Sequence, residues 1–169
     1  MGLEFGTLMS TPQQALVKQA YEQLQAGQFE DAVETFSAAL SIASGDAAAL
    51  RGRGLAYLQL KQWPAASGDF ESATRSHPSN TDNWVELAVT LAIEGKIYPA
   101  IQTFEALLDR DPACVRGAVE FGLLYIRLGA IPRGRQLLEQ ALTLRPTLDQ
   151  RRRPGSQDPR RDQAGPDSR

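Results

Sequence analysis

Apolar and small residues recur along the chain at intervals of 34 positions. Phe36, Phe70, Phe104 and Leu138 form a large apolar column, and Ala32, Ala66, Ala100 and Gly134 form a small one four residues earlier. Ala39, Ala73, Leu107 and Ala141 make a third column. Pro78, Pro112 and Pro146 mark one slot in three successive units, with Ser44 in that slot of the first. Gly27, Gly95 and Gly129 share another, where the second unit has Lys61. Each unit therefore reads as two helices joined by a tight turn. The first helices are predicted over 11–26, 47–60, 81–94 and 115–128, and the second over 28–42, 64–76, 97–110 and 132–144. The small column lets the paired helices approach, and the large column fills the space between them. Glycine after a first helix permits a left-handed residue. Pro12, Pro64 and Pro132 suit helix starts. Pro78, Pro112 and Pro146, which have no N–H, are expected to stop the second helices. Thr11, Asp46 and Asn80 are the expected N-caps, Thr11 forming a capping box with Gln14.

These positions carry a family resemblance. The third unit has Trp84, Leu87, Ala88 and Leu91, then Ala100, Phe104 and Pro112. The second has Leu50, Arg53, Gly54 and Tyr57, then Ala66, Phe70 and Pro78; the fourth has Ala118, Phe121, Gly122 and Tyr125, then Gly134, Leu138 and Pro146. The first is the most degenerate, with Leu16, Gln19, Ala20 and Gln23 before Ala32 and Phe36. Over residues 13 to 146 the pattern resembles the tetratricopeptide repeat. The resemblance implies an all-α fold, a right-handed superhelical solenoid of antiparallel helix pairs, with units starting near 13, 47, 81 and 115. The array is expected over 11–148, between a flexible leader at 1–10 and a disordered tail at 149–169. After Leu148 the tail has no Val, Ile, Leu, Met or aromatic residue with which to offset an ordering entropy of about 1–2 kcal/mol per residue.

Charge narrows the partners. The chain has a net charge of −2, and the array is more acidic than the tail: 12 Lys and Arg stand against 16 Asp and Glu up to Pro146, and 6 Arg against 4 Asp beyond it. No overall basic field points to nucleic acid. No run approaches the ~18 apolar residues of a membrane span, and nothing at the start resembles a secretory signal. One cysteine excludes an internal disulfide and a multi-cysteine metal site and suits a reducing compartment, so a cytoplasmic protein is expected.

In this family the first helices line a concave face, through the second, fifth, ninth, twelfth and thirteenth positions of each repeat. Carried over by register, the resemblance implies a binding surface of Val17, Tyr21 and Leu24, then Arg51, Leu55 and Leu58, then Asp82, Val85 and Val89, and finally Arg116, Val119, Leu123 and Arg127. Val17, Tyr21, Leu55, Val85, Val89, Val119 and Leu123 make a continuous apolar strip of the kind that marks a groove. Leu58, Ala92 and Ile126 are equally suited to packing between neighbouring first helices. Arg51, Arg116 or Arg127 would pair with carboxylates of the bound chain. Chaperone-binding members of the family grip a C-terminal carboxylate with Lys, Asn and Arg donors. The matching positions here are Val17, Tyr21, Gly52, Asp82 and Glu86, so the acidic tails of Hsp70 and Hsp90 are not expected partners.

Candidate chemistry is sparse. His77, the sole histidine, lies before Pro78 with no second histidine nearby, so a turn role outweighs catalysis or metal binding. Cys114 precedes a helix start that would lower a thiol pKa, but a structural thiol is the plainer reading. Phosphate loops and nucleophile elbows are absent. No enzymatic activity, cofactor or metal is expected. The chain reads as a protein-binding scaffold that takes a peptide or helix with apolar anchors. The alternative is a dedicated chaperone shielding an apolar segment of one client, like the small repeat chaperones of secretion systems. With Pro154 ending any further helix, Leu137, Leu142 and Leu144 are expected to lack a cover, and self-association or end-on docking through the C-terminal repeat follows.

Overall fold

The computed structural model describes residues 11–151, with side chains up to 144. The expectations for a flexible leader and for the tail beyond Arg151 lie outside the described residues. Eight helices follow in order: α1 (Pro12–Gln25), α2 (Phe29–Ile42), α3 (Ala47–Gln59), α4 (Trp63–Ser76), α5 (Thr81–Ile93), α6 (Ile97–Arg110), α7 (Val115–Arg127) and α8 (Ile131–Arg151). Among the described residues there is no strand. Helices α3, α5 and α7 start 34 residues apart, as do α2, α4, α6 and α8, so the period in the sequence is the period of the fold.

Local chemistry explains the starts. Thr11 and Gln14 form the reciprocal capping box of α1, the Asp46 carboxylate accepts from the Ala49 N–H, and Asn80 accepts from Asp82. Cys114 occupies the same place before α7, its Sγ accepting from the Gly117 N–H at 3.4 Å, which makes it a buried cap. The turns inside the units are equally regular. After α1 the Gln28 N–H reaches back to the Gln23 carbonyl and that of Gly27 to Leu24; the same pair recurs at Gln62 and Lys61, at Lys96 and Gly95, and at Ala130 and Gly129. This closure requires a left-handed residue, and Gly27, Gly95 and Gly129 adopt φ of 78 to 80°. Lys61 holds φ 58° at the same point, although a side chain disfavours it.

Packing follows the columns. Ala32, Ala66 and Ala100 are fully buried, as are Phe36, Phe70 and, nearly so, Phe104. Each second helix packs against its own partner and against the first helix of the following unit, while α1 meets α3 and α5 meets α7. Glycines permit the closest approaches: a Cβ at Gly52 would lie 2.2 Å from the Phe36 ring, and one at Gly134 2.7 Å from the Gly122 carbonyl. A polar tie supplements the core between units one and two. The Arg53 guanidinium donates to both Asp69 carboxylate oxygens at 2.8 and 2.7 Å and to the Ser37 hydroxyl at 3.0 Å.

One boundary departs from expectation. Pro146 does not end the last helix, and α8 runs on to Arg151. The reason lies in the other turns. Ala43, His77 and Asp111 take nearly the same backbone, φ −138, −133 and −134°, although Ser44 rather than proline follows the first of them. In each case a following first helix docks onto the second helix and reverses the chain. No described helix follows α8 to dock there and reverse the chain, and the helix runs on despite the hydrogen bond that Pro146 removes and the crowding of the preceding turn by its ring.

Candidate functional site

The face formed by α1, α3, α5 and α7 divides into a charged half and an apolar half. In the first, Asp82 lies 3.7 Å from Arg51 and 3.0 Å from Arg116, and Arg116 also donates to Glu86 at 2.6 Å. Burial opposes the charge on Arg116, but the hydrogen bonds it donates to Glu86 and Asp82 outweigh this and hold the guanidinium above its ordinary pKa. The ladder thus links the N-terminal halves of α3, α5 and α7. Beside it, Tyr21, Ala48, Arg51, His77 and Asn80 line a cleft of about 380 Å³. The Tyr21 hydroxyl donates to the Ala48 carbonyl at 2.8 Å while its ring stands edge-on to Phe36, 5.1 Å between centroids. Burial raises the Tyr21 pKa, with Arg51 opposing and Asp46 adding to the shift. His77 caps the C-terminus of α4 at the rim and is exposed.

The apolar half lies between units three and four. Val89, Ala92, Ile93, Leu123 and Ile126 surround a cleft of about 270 Å³, floored by Phe104 and Leu124 and edged by Glu120 and Arg127. Ile93 and Leu123 are 47% and 44% exposed and share the lining of this one apolar cleft. Arg127 has no ion-pair partner among the described residues.

The expected site residues therefore separate. Leu123 and Arg127 are exposed; Val89 and Val119 are half-buried, Val89 on the cleft wall. Val17, Tyr21 and Leu24 are half-buried against the core of units one and two, and Leu55 and Leu58 against Phe70 and Leu87. Val85 does not belong to a surface strip: it is fully buried with Ala88, Phe104 and Phe121, because α7 packs directly on α5 there. Arg51, Asp82 and Arg116 are brought together, but with one another. The two arginines spend their charge inside the chain rather than waiting for a partner's carboxylate. Sequence reasoning missed this ladder. Its signal is the occurrence of opposite charges, Asp82 and Arg116, at the same position of successive repeats.

Among the described residues no three His, Cys, Asp or Glu side chains are grouped to hold a metal ion, and no helix is long and apolar enough to cross a membrane.

Comparison with known proteins agrees with this architecture. Two relatives, both cellulose synthase operon protein C, come from Komagataeibacter sucrofermentans and Komagataeibacter xylinus. Each is 35% identical, over 88 and 92 residues respectively, which is 52% and 54% of this chain. The chain spans only 7% of the length of either relative. Among solved structures, a crystal structure of MamA superposes with a TM-score of 0.74 at 19% identity, covering 82% of this chain and 81% of that one. MamA from Desulfovibrio magneticus RS-1 gives 0.73 at 16%, covering 83% and 79%. At such identities the likeness is one of fold. The tetratricopeptide repeat model matches residues 17–81 and 99–149, more than half of the chain. With the repeated turns and columns described above, that match makes the chain a member of the tetratricopeptide repeat family.

Proposed function

We propose that the chain is a non-catalytic scaffold that binds a peptide or helix of another protein on the face of its first helices, the main apolar anchor seated between units three and four. The observation that carries this reading is the cleft lined by Val89, Ala92, Ile93, Leu123 and Ile126, an apolar hollow between units three and four whose Ile93 and Leu123 side chains stay open to solvent. A tetratricopeptide array presents such a face to protein partners, and an exposed apolar hollow rimmed by charge suits an aliphatic or aromatic anchor. Arg127 at the rim supplies a cation for an acidic residue beside that anchor. The Arg51–Asp82–Arg116–Glu86 ladder ties neighbouring first helices together on the same face, beside the cleft. The acidic tails of Hsp70 and Hsp90 are not partners in this reading, because Asp82 and Glu86 present carboxylates where a clamp needs donors.

The test is selection from a displayed peptide library on the full chain, followed by affinity measurement against a Leu123→Glu variant. Enriched peptides are expected to share an apolar anchor and to bind the variant about 10 to 100 times more weakly, as the loss of one buried anchor implies. Peptides without an anchor, or equal affinity for a variant whose circular dichroism is unchanged, would overturn the proposal.

A further inference from the structure

The last helix exposes a face that the other second helices bury. Leu40 and Thr74, which occupy the repeat position of Leu142 in units one and two, are each 7% exposed, beneath α3 and α5. Leu142 is 62% exposed. Leu138 is half-buried where Phe36, Phe70 and Phe104 are sealed, and Ile131 is 51% exposed where Phe29, Trp63 and Ile97 are half-buried. Ile131, Arg135, Leu138 and Leu142 follow one another at steps of four, three and four, which places them in a single seam along α8, the spacing that lets two helices interlock. The residues in register with a further first helix, 149–161, include Pro154, Gly155 and Pro159 and no Val, Ile, Leu, Met or aromatic side chain, so they do not offer the apolar face that α3, α5 and α7 offer.

We infer that this seam is a homodimer interface in which two copies of α8 pack antiparallel about a two-fold axis between residues 135 and 138. The commitment to a second copy rests on self-complementarity. Antiparallel alignment about that axis sets Ile131 against the partner copy's Leu142, twice, and sets Arg135 opposite the partner's Leu138, beside its Glu139. Arg135 and Glu139 have no ion-pair partner among the described residues, and the two-fold operation pairs each with the other. A head-to-tail chain of copies is disfavoured at the opposite end. The outer side of α1 presents Lys18, Gln19 and Glu22, with Lys18 and Glu22 paired at 3.8 Å, where the later first helices carry residues that pack on the preceding unit. The interface is separate from the first-helix cleft, so either reading survives the failure of the other.

The test is sedimentation equilibrium of the full chain over a concentration series. The wild type is expected to form a dimer and no larger species. Leu142→Glu, on a side chain already largely exposed, is expected to raise the dimer dissociation constant at least about 10-fold with unchanged circular dichroism. Arg135→Glu and Glu139→Arg should each weaken the dimer; the double exchange should restore it, and so should a mixture of the two single variants, which a salt bridge within one helix does not predict. In a Cys114→Ser background, Ile131→Cys mixed with Leu142→Cys should give the mixed disulfide in preference to either self-pair. A monomer throughout, a ladder of higher oligomers, a dimer indifferent to Leu142→Glu, or no rescue by the double exchange would each overturn the inference.

Discussion

Alanine in place of glycine should stabilise this array at position 68 and destabilise it at position 52. Gly68 lies in the exposed interior of α4, and a Cβ added there meets no atom within 4 Å. The change removes backbone freedom from the unfolded chain without a native cost, a gain of about 0.5–1 kcal/mol. Gly52 lies in α3 against the sealed ring of Phe36, and its added Cβ falls 2.2, 2.5 and 2.9 Å from three ring carbons. Carbon atoms pack at about 3.5–4.0 Å, so the ring must retreat by more than about 1 Å. It is held edge-on by Tyr21 and has no solvent to move into. Overpacking of this kind costs about 1–3 kcal/mol. Contacts as short as 2.2 Å call for the upper end of that cost, which, set against a helix-propensity gain of up to about 1 kcal/mol, leaves a net loss of about 2 kcal/mol. Phe36 belongs to unit one and Gly52 to unit two, so the loss falls on the coupling between neighbours, on which a repeat array depends. Both tryptophans, Trp63 and Trp84, lie outside unit one. In urea, Gly52→Ala should therefore lose circular dichroism before tryptophan fluorescence changes, by a wider gap than the wild type, whereas Gly68→Ala should shift both midpoints upward together. A Gly52→Ala protein as stable as the wild type, or equal losses at both sites, would refute the reasoning.

Three further outcomes follow from the same structure. Lys61→Gly should gain about 0.5–1 kcal/mol in urea unfolding by relieving the left-handed backbone at φ 58°, and Gly95→Ala should lose a similar amount. Arg53→Ala should cost about 2–4 kcal/mol, since it strands a largely buried Asp69, while Arg53→Met with Asp69→Leu should recover most of that; a double-mutant cycle measures both. Burial raises the pKa of Tyr21 above its ordinary 10.0 in the folded chain, so its contribution to stability is full below that value and is lost as pH rises through the folded pKa. The absorbance difference between wild type and Tyr21→Phe should report an ionisation above pH 10.0, and that variant should lose less stability between neutral and alkaline pH.

The candidate site was legible only in outline. The register of the first helices led to Val89, Leu123 and Arg127, which border or face the apolar cleft, because those positions repeat whatever their neighbours are. The same register pointed to Val85 as it did to Val17 and Val119, yet only Val85 is sealed, through the close packing of α7 on α5. Arg51 and Arg116 looked available because charge is legible in a sequence and pairing across 30 or more residues is not.

What the sequence by itself determined are the features decided within a few residues. Caps at Thr11, Asp46 and Asn80, left-handed turns at Gly27, Gly95 and Gly129, and the 34-residue beat of helix starts all arise from hydrogen bonds and sterics local to each segment. The tertiary structure decided what depends on a neighbour. Ala43 turns without a proline and Pro146 does not turn despite being one, since the reversal is driven by the docking of the next helix. Leu40 and Leu142 hold the same repeat position, and only one of them is covered. A side chain's local pattern states which face it shares; whether that face meets protein or water is settled by the burial that another segment supplies.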